Sequence, residues 1–321
     1  MNDPKSQPID VEEQRAWLEE FKRDSGLPWS QIAGRLGPDF KSSTISLFVT
    51  GKYAGRLDWI AEAIFRFRQT LVAQAAIRAE GPEIPGYFPT ETSDRLIRLL
   101  HYAQRGRITV GALAAGISKT TVAHYFQACN SNVFVITVFP STSGIFGMLK
   151  AVLKSLGVPN AAGSPEVLSN QVMDRVRNLA NPLLVFDEAQ HLTVRAIEEI
   201  RGWYDLTGVG ICLLGNKSLL QQLEGGNRSD AFAQIFSRVS LRVVKLRPTT
   251  ADVDALLEAW RIHDEKIAAE IHRIAQLPGA LRSATWTLEL AHMIAAGGKE
   301  ELTVGDVQDA WAQLSSRSVA A

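Results

Sequence analysis

A chain of 321 residues with 34 basic and 34 acidic side chains has no net field to draw it to nucleic acid, so any such contact must come from a local patch. Its 46% hydrophobic and 21% charged residues are ordinary globular usage and exclude a largely disordered chain. The two cysteines, Cys129 and Cys212, lack metal-type spacing and read as reduced core thiols, and no apolar leader or bilayer-length apolar run is present. The expectation is a soluble, cytoplasmic protein with no membrane partner.

In chain order, the first stretch from Val11 to about Arg78 is helical in pattern. "GLPWSQIAGRLG" and "SSTISLFVTGKY" are short amphipathic pieces, with Ile32, Ala33 and Leu36 facing inward on the first and Ile45 and Phe48 on the second. A longer helix from about Leu57 follows. "AEGPEIPGYFPTET" then gathers prolines and glycines into a linker. Beyond a helix carrying "SDRLIRLLHYAQ", the apolar runs "RITVGAL", "VFVITVF", "PLLVFD", "VGICLLGN" and "RVVKL" alternate with helical stretches, which predicts a parallel sheet covered on both faces. From Thr249 onward only amphipathic helices remain. The expected organisation is an all-α domain over residues 1–80, a linker over 81–92, an α/β core over 93–248 and a helical lid over 249–321.

The stretch "LAAGISKTTVA" directly follows the first apolar run. A phosphate-binding loop needs backbone N–H groups around a phosphate, a lysine for its outer oxygens and a hydroxyl for Mg²⁺ at a helix start. Lys119 and Thr120 fall in those positions, Thr121 opens the helix, and Gly116 is free to take a positive φ. Leu113 and Ser118 stand where the pattern has glycine; Ser118 fits with a negative φ, and the Leu113 side chain must point away from the phosphates. The same residues also read as an S-K-T sequence at any strand-to-helix junction. "PLLVFDEAQHL" ends a strand in Asp187, suited to a metal's water shell, and Glu188, suited to polarising water. An acidic helix cap is the alternative. Asn216 ends the next strand, where an amide reaches a γ-phosphate or simply serves a turn. His101, His124 and His191 form no ligand spacing, and Trp203, Trp260, Trp286 and Trp311 sit at helical spacings expected of core residues.

These positions resemble the Walker A, Walker B and sensor 1 elements of AAA+ ATPases. "IFSRVS" resembles their SR-box, which implies that Arg238 is an arginine finger acting on a neighbouring subunit, and "LPGALRSATW" resembles their sensor 2, which implies nucleotide contact by Arg282. "GGNRSDAFAQIFSRV", "LVFDEAQHL" and "QLPGALRSATWTLELA" are similar to the phage Mu B transposition protein family, over nearly the whole chain. The resemblance implies an AAA+ P-loop domain with a helical lid behind a helix-turn-helix domain. It implies ATP and Mg²⁺ as cofactors, with Ala115, Gly116, Ile117, Ser118, Lys119, Thr120, Thr121 and Arg282 at the nucleotide and Thr120 and Asp187 at the metal. Asp187, Glu188, Asn216 and Arg238 are then the catalytic set. Arg228 in "GGNR" is a weaker candidate arginine.

"WSQIAGRLGPDFKSSTISLFVTGKY" resembles a helix-turn-helix, with Ser42, Ser43, Thr44 and Ser46 toward the groove and Lys41, Lys52 and Tyr53 at phosphates. Hydroxyls and lysines there imply weak sequence preference. Lys41, Lys52, Arg56, Arg66, Arg68 and Arg78 outnumber Asp58 and Glu62 in this region, giving a local basic patch; a protein-interaction module with a solvated face is the other reading. Lys150 and Lys154 are further DNA candidates. The expected function is an ATP-switched protein that assembles on double-stranded DNA as a homo-oligomeric filament or ring and serves a transposase as target selector and activator. The alternative is a hydrolysis-deficient DNA-binding adaptor, motivated by Leu113 and Ser118.

Overall fold

β-Branched runs alternating with amphipathic helices fold, in the computed structural model, into a five-stranded parallel sheet. The structure describes residues 9–80, 82, 84–224, 237–296 and 301–315, and the chain divides into two compact units, Met1–Pro82 and Glu83–Ala321.

The first unit is all helical: α1 (Val11–Ser25), α2 (Trp29–Leu36), α3 (Ser42–Val49) and α4 (Leu57–Glu80). Asp10 caps α1 by accepting the N–H groups of Glu12 and Glu13, and Gly26 closes it in the left-handed region at φ 64°. Leu18, Ile32, Ile45, Phe48, Ile60 and Ile64 form a fully buried core with Ala33 beside them, while Leu36 is half-buried at its edge. In the connection between α2 and α3, Phe40 stacks on Trp59 with ring centroids 4.5 Å apart. That contact anchors the connection to α4.

The second unit opens with α5 (Glu91–Gln104) and β1 (Ile108–Leu113). Then come α6 (Lys119–Cys129), β2 (Val133–Thr137), α7 (Ile145–Ser155), α8 (Pro165–Arg177) and β3 (Leu183–Asp187). It continues through α9 (Val194–Thr207), β4 (Gly210–Gly215), α10 (Lys217–Glu224) and β5 (Val239–Lys245). The strand order is β2-β3-β4-β1-β5. Every residue of β1, β3 and β4 is buried, because α7, α8 and α9 cover one face of the sheet and α5 and α6 the other. Parallel pairing places the loops after β1, β3 and β4 at one edge, the carboxyl end, where a doubly wound sheet opens its crevice. Among the described residues the helices that follow are α11 (Thr250–Ala259), α12 (Glu265–Ala275), α13 (Ala280–Ala296) and α14 (Val304–Ser315). They enclose a core of their own around Leu256, Ile271, Ile274 and Leu288.

One buried carboxylate ties these helices to the sheet. Asp252, in the first turn of α11, accepts the Thr92 N–H at 2.8 Å, the Thr92 hydroxyl at 2.6 Å and the Thr249 N–H at 2.9 Å. Thr92 lies in the first turn of α5, so the contact spans 160 residues of sequence. Burial alone would push the Asp252 carboxyl up, but the donors on Thr92 and Thr249 outweigh it and hold it below the usual carboxylate range. Asp252→Ala is therefore expected to cost about 3 kcal/mol in urea unfolding at neutral pH. A folded-state pKa below the unfolded one contributes stability that is complete above the ordinary value and lost as pH falls through the folded value. The difference between wild type and variant should accordingly shrink below about pH 4.

Candidate functional site

The loop between β1 and α6 is built around Lys119. Only 7% exposed, its Nζ donates to the carbonyl oxygens of Leu113 and Ala114, each at 3.2 Å. Burial pushes the ammonium below the usual lysine range, the carboxylates of Glu188 and Asp187 pull it back up, and the Arg282 guanidinium adds to the downward push. Leu113 is fully buried in the apolar layer under α6, so its side chain points into the core and away from the loop. Gly116 takes φ 80°. Ala115 is exposed, and Ile117 is buried in the same apolar layer. α6 begins at Lys119, two residues before the predicted opening at Thr121.

Ser118 corrects one expectation. Its φ is +52°, in the left-handed region, rather than negative. The loop has to reverse there so that α6 can start at the next residue, and the first helical bond, Val122 N–H to Ser118 O at 2.9 Å, follows at once. A glycine would adopt that turn freely; serine bears a cost of about 1 kcal/mol.

Across the crevice the Thr120 hydroxyl donates to Asp187 Oδ2 at 2.6 Å, and Asp187 is buried at the end of β3. Glu188 follows in the left-handed region at φ 56°, its N–H donating to Asp187 Oδ1 at 3.0 Å. Asn216, after β4, accepts the Ser218 N–H on its side-chain oxygen at 2.8 Å and so caps α10, which leaves its amide nitrogen as the donating end. The crevice thus brings Lys119, Thr120, Asp187, Glu188 and Asn216 to one edge of the sheet. Among the described residues no cluster of three His, Cys, Asp or Glu side chains is arranged to hold a metal unaided. The oxygens of Thr120 and Asp187 are the hard donors a Mg²⁺ shared with phosphate and water requires.

The helical lid closes the other side. The Arg282 N–H donates to Gly116 O at 3.3 Å, and a Cβ on Gly116 would lie 1.8 Å from the Gly279 carbonyl oxygen. Beside this contact is a cavity of about 390 Å³, lined in part by Tyr87, Phe88, Ser118, Thr121, Arg282 and Trp286. Trp286 is 52% exposed, which corrects its assignment to a core: it stands at helical spacing on α13, but the face it occupies borders the cavity. Trp203 and Trp260 are buried as expected. Tyr87 and Phe88 were also missed, because they lie in a proline-rich segment read only as linker.

Arg238 lies elsewhere. Val239 pairs with Ile108, the first residue of β1, so Arg238 sits at the amino end of the sheet, about 16 Å of strand from the loop after Leu113. Its Nε donates to Asp205 at 2.8 Å, and Arg201 reaches the same carboxylate at 2.7 Å. Arg228 lies outside the described residues.

In the helical unit Lys41, Ser42, Ser43 and Lys52 are exposed, while Thr44, Ser46 and Tyr53 are half-buried. The basic patch is more neutral than composition implied. Arg56 pairs with Asp58 at 3.3 Å, Arg66 with Glu62 at 3.1 Å and Arg68 with Glu13 at 2.7 Å, because the start of α4 places acids within reach of Arg56 and Arg66 and α1 brings Glu13 alongside Arg68. The side chain of Arg78 lies outside the described residues. On α7, Lys150 and Lys154 are both exposed, and Lys150 Nζ stands 4.5 Å from the centroid of the Phe146 ring.

Residues 237–314 match the family model for the C-terminal part of the Mu B transposition protein, and residues 108–223 match a model of the AAA domain. The chain is 30% identical over 307 residues to the ATP-dependent target DNA activator B of Escherichia phage Mu, covering 95% of this chain and 96% of that one. It is 27% identical to the Mu-like prophage FluMu DNA transposition protein B of Haemophilus influenzae, over 84% of this chain and 93% of that one. Among solved structures, Cdc6p from Pyrobaculum aerophilum shares the fold with a TM-score of 0.54 at 16% identity, over 72% of this chain and 69% of that one. No helix among the described residues is long and apolar enough to cross a membrane.

The two unusual backbone positions make opposite predictions. Gly116→Ala forces a Cβ into the Gly279 carbonyl and is expected to weaken ATP binding at least ~10-fold by displacing the lid. Ser118→Gly relieves the left-handed strain and is expected to raise stability by about 0.5 kcal/mol, since glycine's added unfolded freedom takes back part of the gain. Calorimetric titration with ATP and urea unfolding check the pair.

Proposed function

Because the chain belongs to the Mu B transposition protein family and carries the AAA+ P-loop fold, we propose that it is an ATP-dependent DNA-binding ATPase of DNA transposition. In this reading it assembles on duplex DNA with little sequence preference and presents that DNA as target to a transposase, which it activates. The observation that carries the proposal is the convergence of Lys119, the Thr120–Asp187 hydrogen bond and Glu188 at the carboxyl edge of one sheet.

Lys119 would hold the outer phosphates of ATP, exchanging two carbonyl acceptors for phosphate oxygens. Gly116 and its neighbours Ala115, Ile117 and Ser118 would wrap the phosphates with backbone N–H groups, while Arg282 approaches from the lid. Tyr87, Phe88 and Trp286 border a space suited to a flat base. Thr120 and Asp187 would hold Mg²⁺, whose chemistry when bound is to neutralise phosphate charge. Glu188 would orient and polarise the attacking water, and Asn216 would direct its amide toward the γ-phosphate. Arg238 cannot reach this crevice within its own subunit and would complete a neighbour's site instead, making ATP the cement of a head-to-tail assembly.

Duplex DNA would meet Ser42, Ser43, Thr44 and Ser46 on α3, with Lys41, Lys52 and Tyr53 at phosphates and Lys150 and Lys154 as further contacts. Hydrolysis is favoured over the passive adaptor by where the two irregular residues go: Leu113 packs in the core and Ser118 adopts a glycine-like φ.

Lys119→Ala is expected to lower DNA-stimulated phosphate release to background, a loss of ~10²-fold or more, and to prevent nucleotide-dependent assembly in electron micrographs. Arg238→Ala should also be inactive yet still bind ATP. Mixing the two variants should restore part of the activity, because the intact Arg238 of one subunit then serves the intact loop of the other. An inactive mixture argues against an arginine acting between subunits; phosphate release undiminished in Lys119→Ala argues against the whole site.

A further inference from the structure

We infer that Gln190 is the positioning residue that sets the Glu188 carboxylate and couples it to the end of β4. The inference rests on the reading of Glu188 as the group that polarises water.

Gln190 lies in a short 3-10 turn, Ala189–His191, that follows Glu188. Both ends of its amide are engaged. Nε2 donates to Glu188 Oε2, and Oε1 accepts the Asn216 backbone N–H at 3.3 Å. The Gln190 backbone oxygen also accepts from Gln222 Nε2 on α10 at 3.1 Å. The chemistry fixes which way the amide faces: a carboxylate only accepts and a backbone N–H only donates, so one orientation alone satisfies both. The sequence makes room for it. A Cβ on Gly215, the last residue of β4, would lie 2.6 Å from Gln190 Oε1, so the amide can lie across the strand end only because that residue is glycine.

Glu188 needs such a partner. Its backbone is left-handed, and its N–H is committed to Asp187 Oδ1, so the direction of the carboxylate is set through the side chain. Gln190 supplies a hydrogen bond to one carboxylate oxygen and does not occupy the other. The same amide transmits the position of the β4–α10 junction: a shift of Asn216 or α10 on ATP binding moves Gln190 and, through it, Glu188. Gln190 itself need not touch nucleotide.

The test measures steady-state ATP hydrolysis and equilibrium ATP affinity for the full chain on duplex DNA, with Glu188→Gln, Gln190→Glu and Gln190→Ala. Gln190→Glu keeps shape and the acceptor for Asn216 but sets carboxylate against carboxylate. Both Gln190 variants are expected to lose at least ~10-fold in kcat with KM and ATP affinity within about twofold of wild type, and Glu188→Gln to lose ~10²-fold or more. A Gln190→Glu chain with kcat within about twofold of wild type overturns the inference, because a residue that only fills space tolerates its isostere. Loss of ATP binding in both Gln190 variants also overturns it, assigning Gln190 to the fold. Should Glu188→Gln still hydrolyse ATP, the water-polarising reading fails and the inference with it. An inactive Glu188→Gln beside an active Gln190→Glu defeats the inference alone.

Discussion

A lysine ammonium buried at the end of a parallel sheet is the constraint from which the rest of the crevice follows. An unpaired charge in that setting would cost several kcal/mol, so the chain must bring acceptors to it. The loop folds back to present the carbonyls of Leu113 and Ala114, and β3 ends in two consecutive carboxylates facing the same space. The arrangement suits an exchangeable anion. Two neutral carbonyls are modest partners for a full positive charge, and a phosphate oxygen that displaces them offers a stronger, charge-assisted bond. The pull of Asp187 and Glu188 on the same ammonium opposes the downward push of its burial.

The second requirement is that the lid approach the loop closely, and backbone rather than side chains makes that contact. Gly116 and Gly279 meet with no room for a Cβ on Gly116, and the Arg282 N–H bonds to the Gly116 carbonyl. The Arg282 N–H is shared between the Gly116 and Gly279 carbonyls, at 3.3 and 3.1 Å, so loop and lid meet backbone to backbone at the start of α13. At the far end of the lid Asp252 grips Thr92 on α5. The lid is thus tied at two points, to the nucleotide loop and to the helix entering the sheet.

Much of this was legible in the sequence because the signals are local. The apolar runs found the five strands, Asp187 and Glu188 stand where the third of them ends, and Lys119 and Thr120 open the helix that follows the first. What escaped depended on which face a helix turns to its neighbours. Trp286 has the spacing of a core residue, but α13 rotates it to the cavity. Tyr87 and Phe88 sit among prolines and glycines, where no periodic pattern marks a lining residue. Ser118 was misjudged for a different reason: φ at a loop's last residue is set by the turn the chain must make, and residue preference yields to it at a cost of about 1 kcal/mol. The basic patch is not read correctly by counting composition, since the first turn of α4, its helical spacing and α1 bring carboxylates to Arg56, Arg66 and Arg68 in turn. Exposed pairs of that kind exchange readily for phosphate because each is worth at most about 1 kcal/mol.

The placement of Arg238 carries the architecture one step further. It stands at the amino end of the sheet, while Lys119 and Glu188 stand at the carboxyl end. An arginine that serves a neighbour's crevice from there joins two different surfaces of the same chain, and such a head-to-tail contact is heterologous. A heterologous contact does not end with a dimer: it repeats until it closes into a ring or runs on as a helix. The carboxylate of Asp205, shared by Arg238 and Arg201, holds the guanidinium on α9 without burying it, so little ordering remains to be done when a second subunit arrives. In the proposed assembly, nucleotide at each boundary would lie between Lys119 and Arg282 of one subunit and Arg238, steadied by Asp205, of the next.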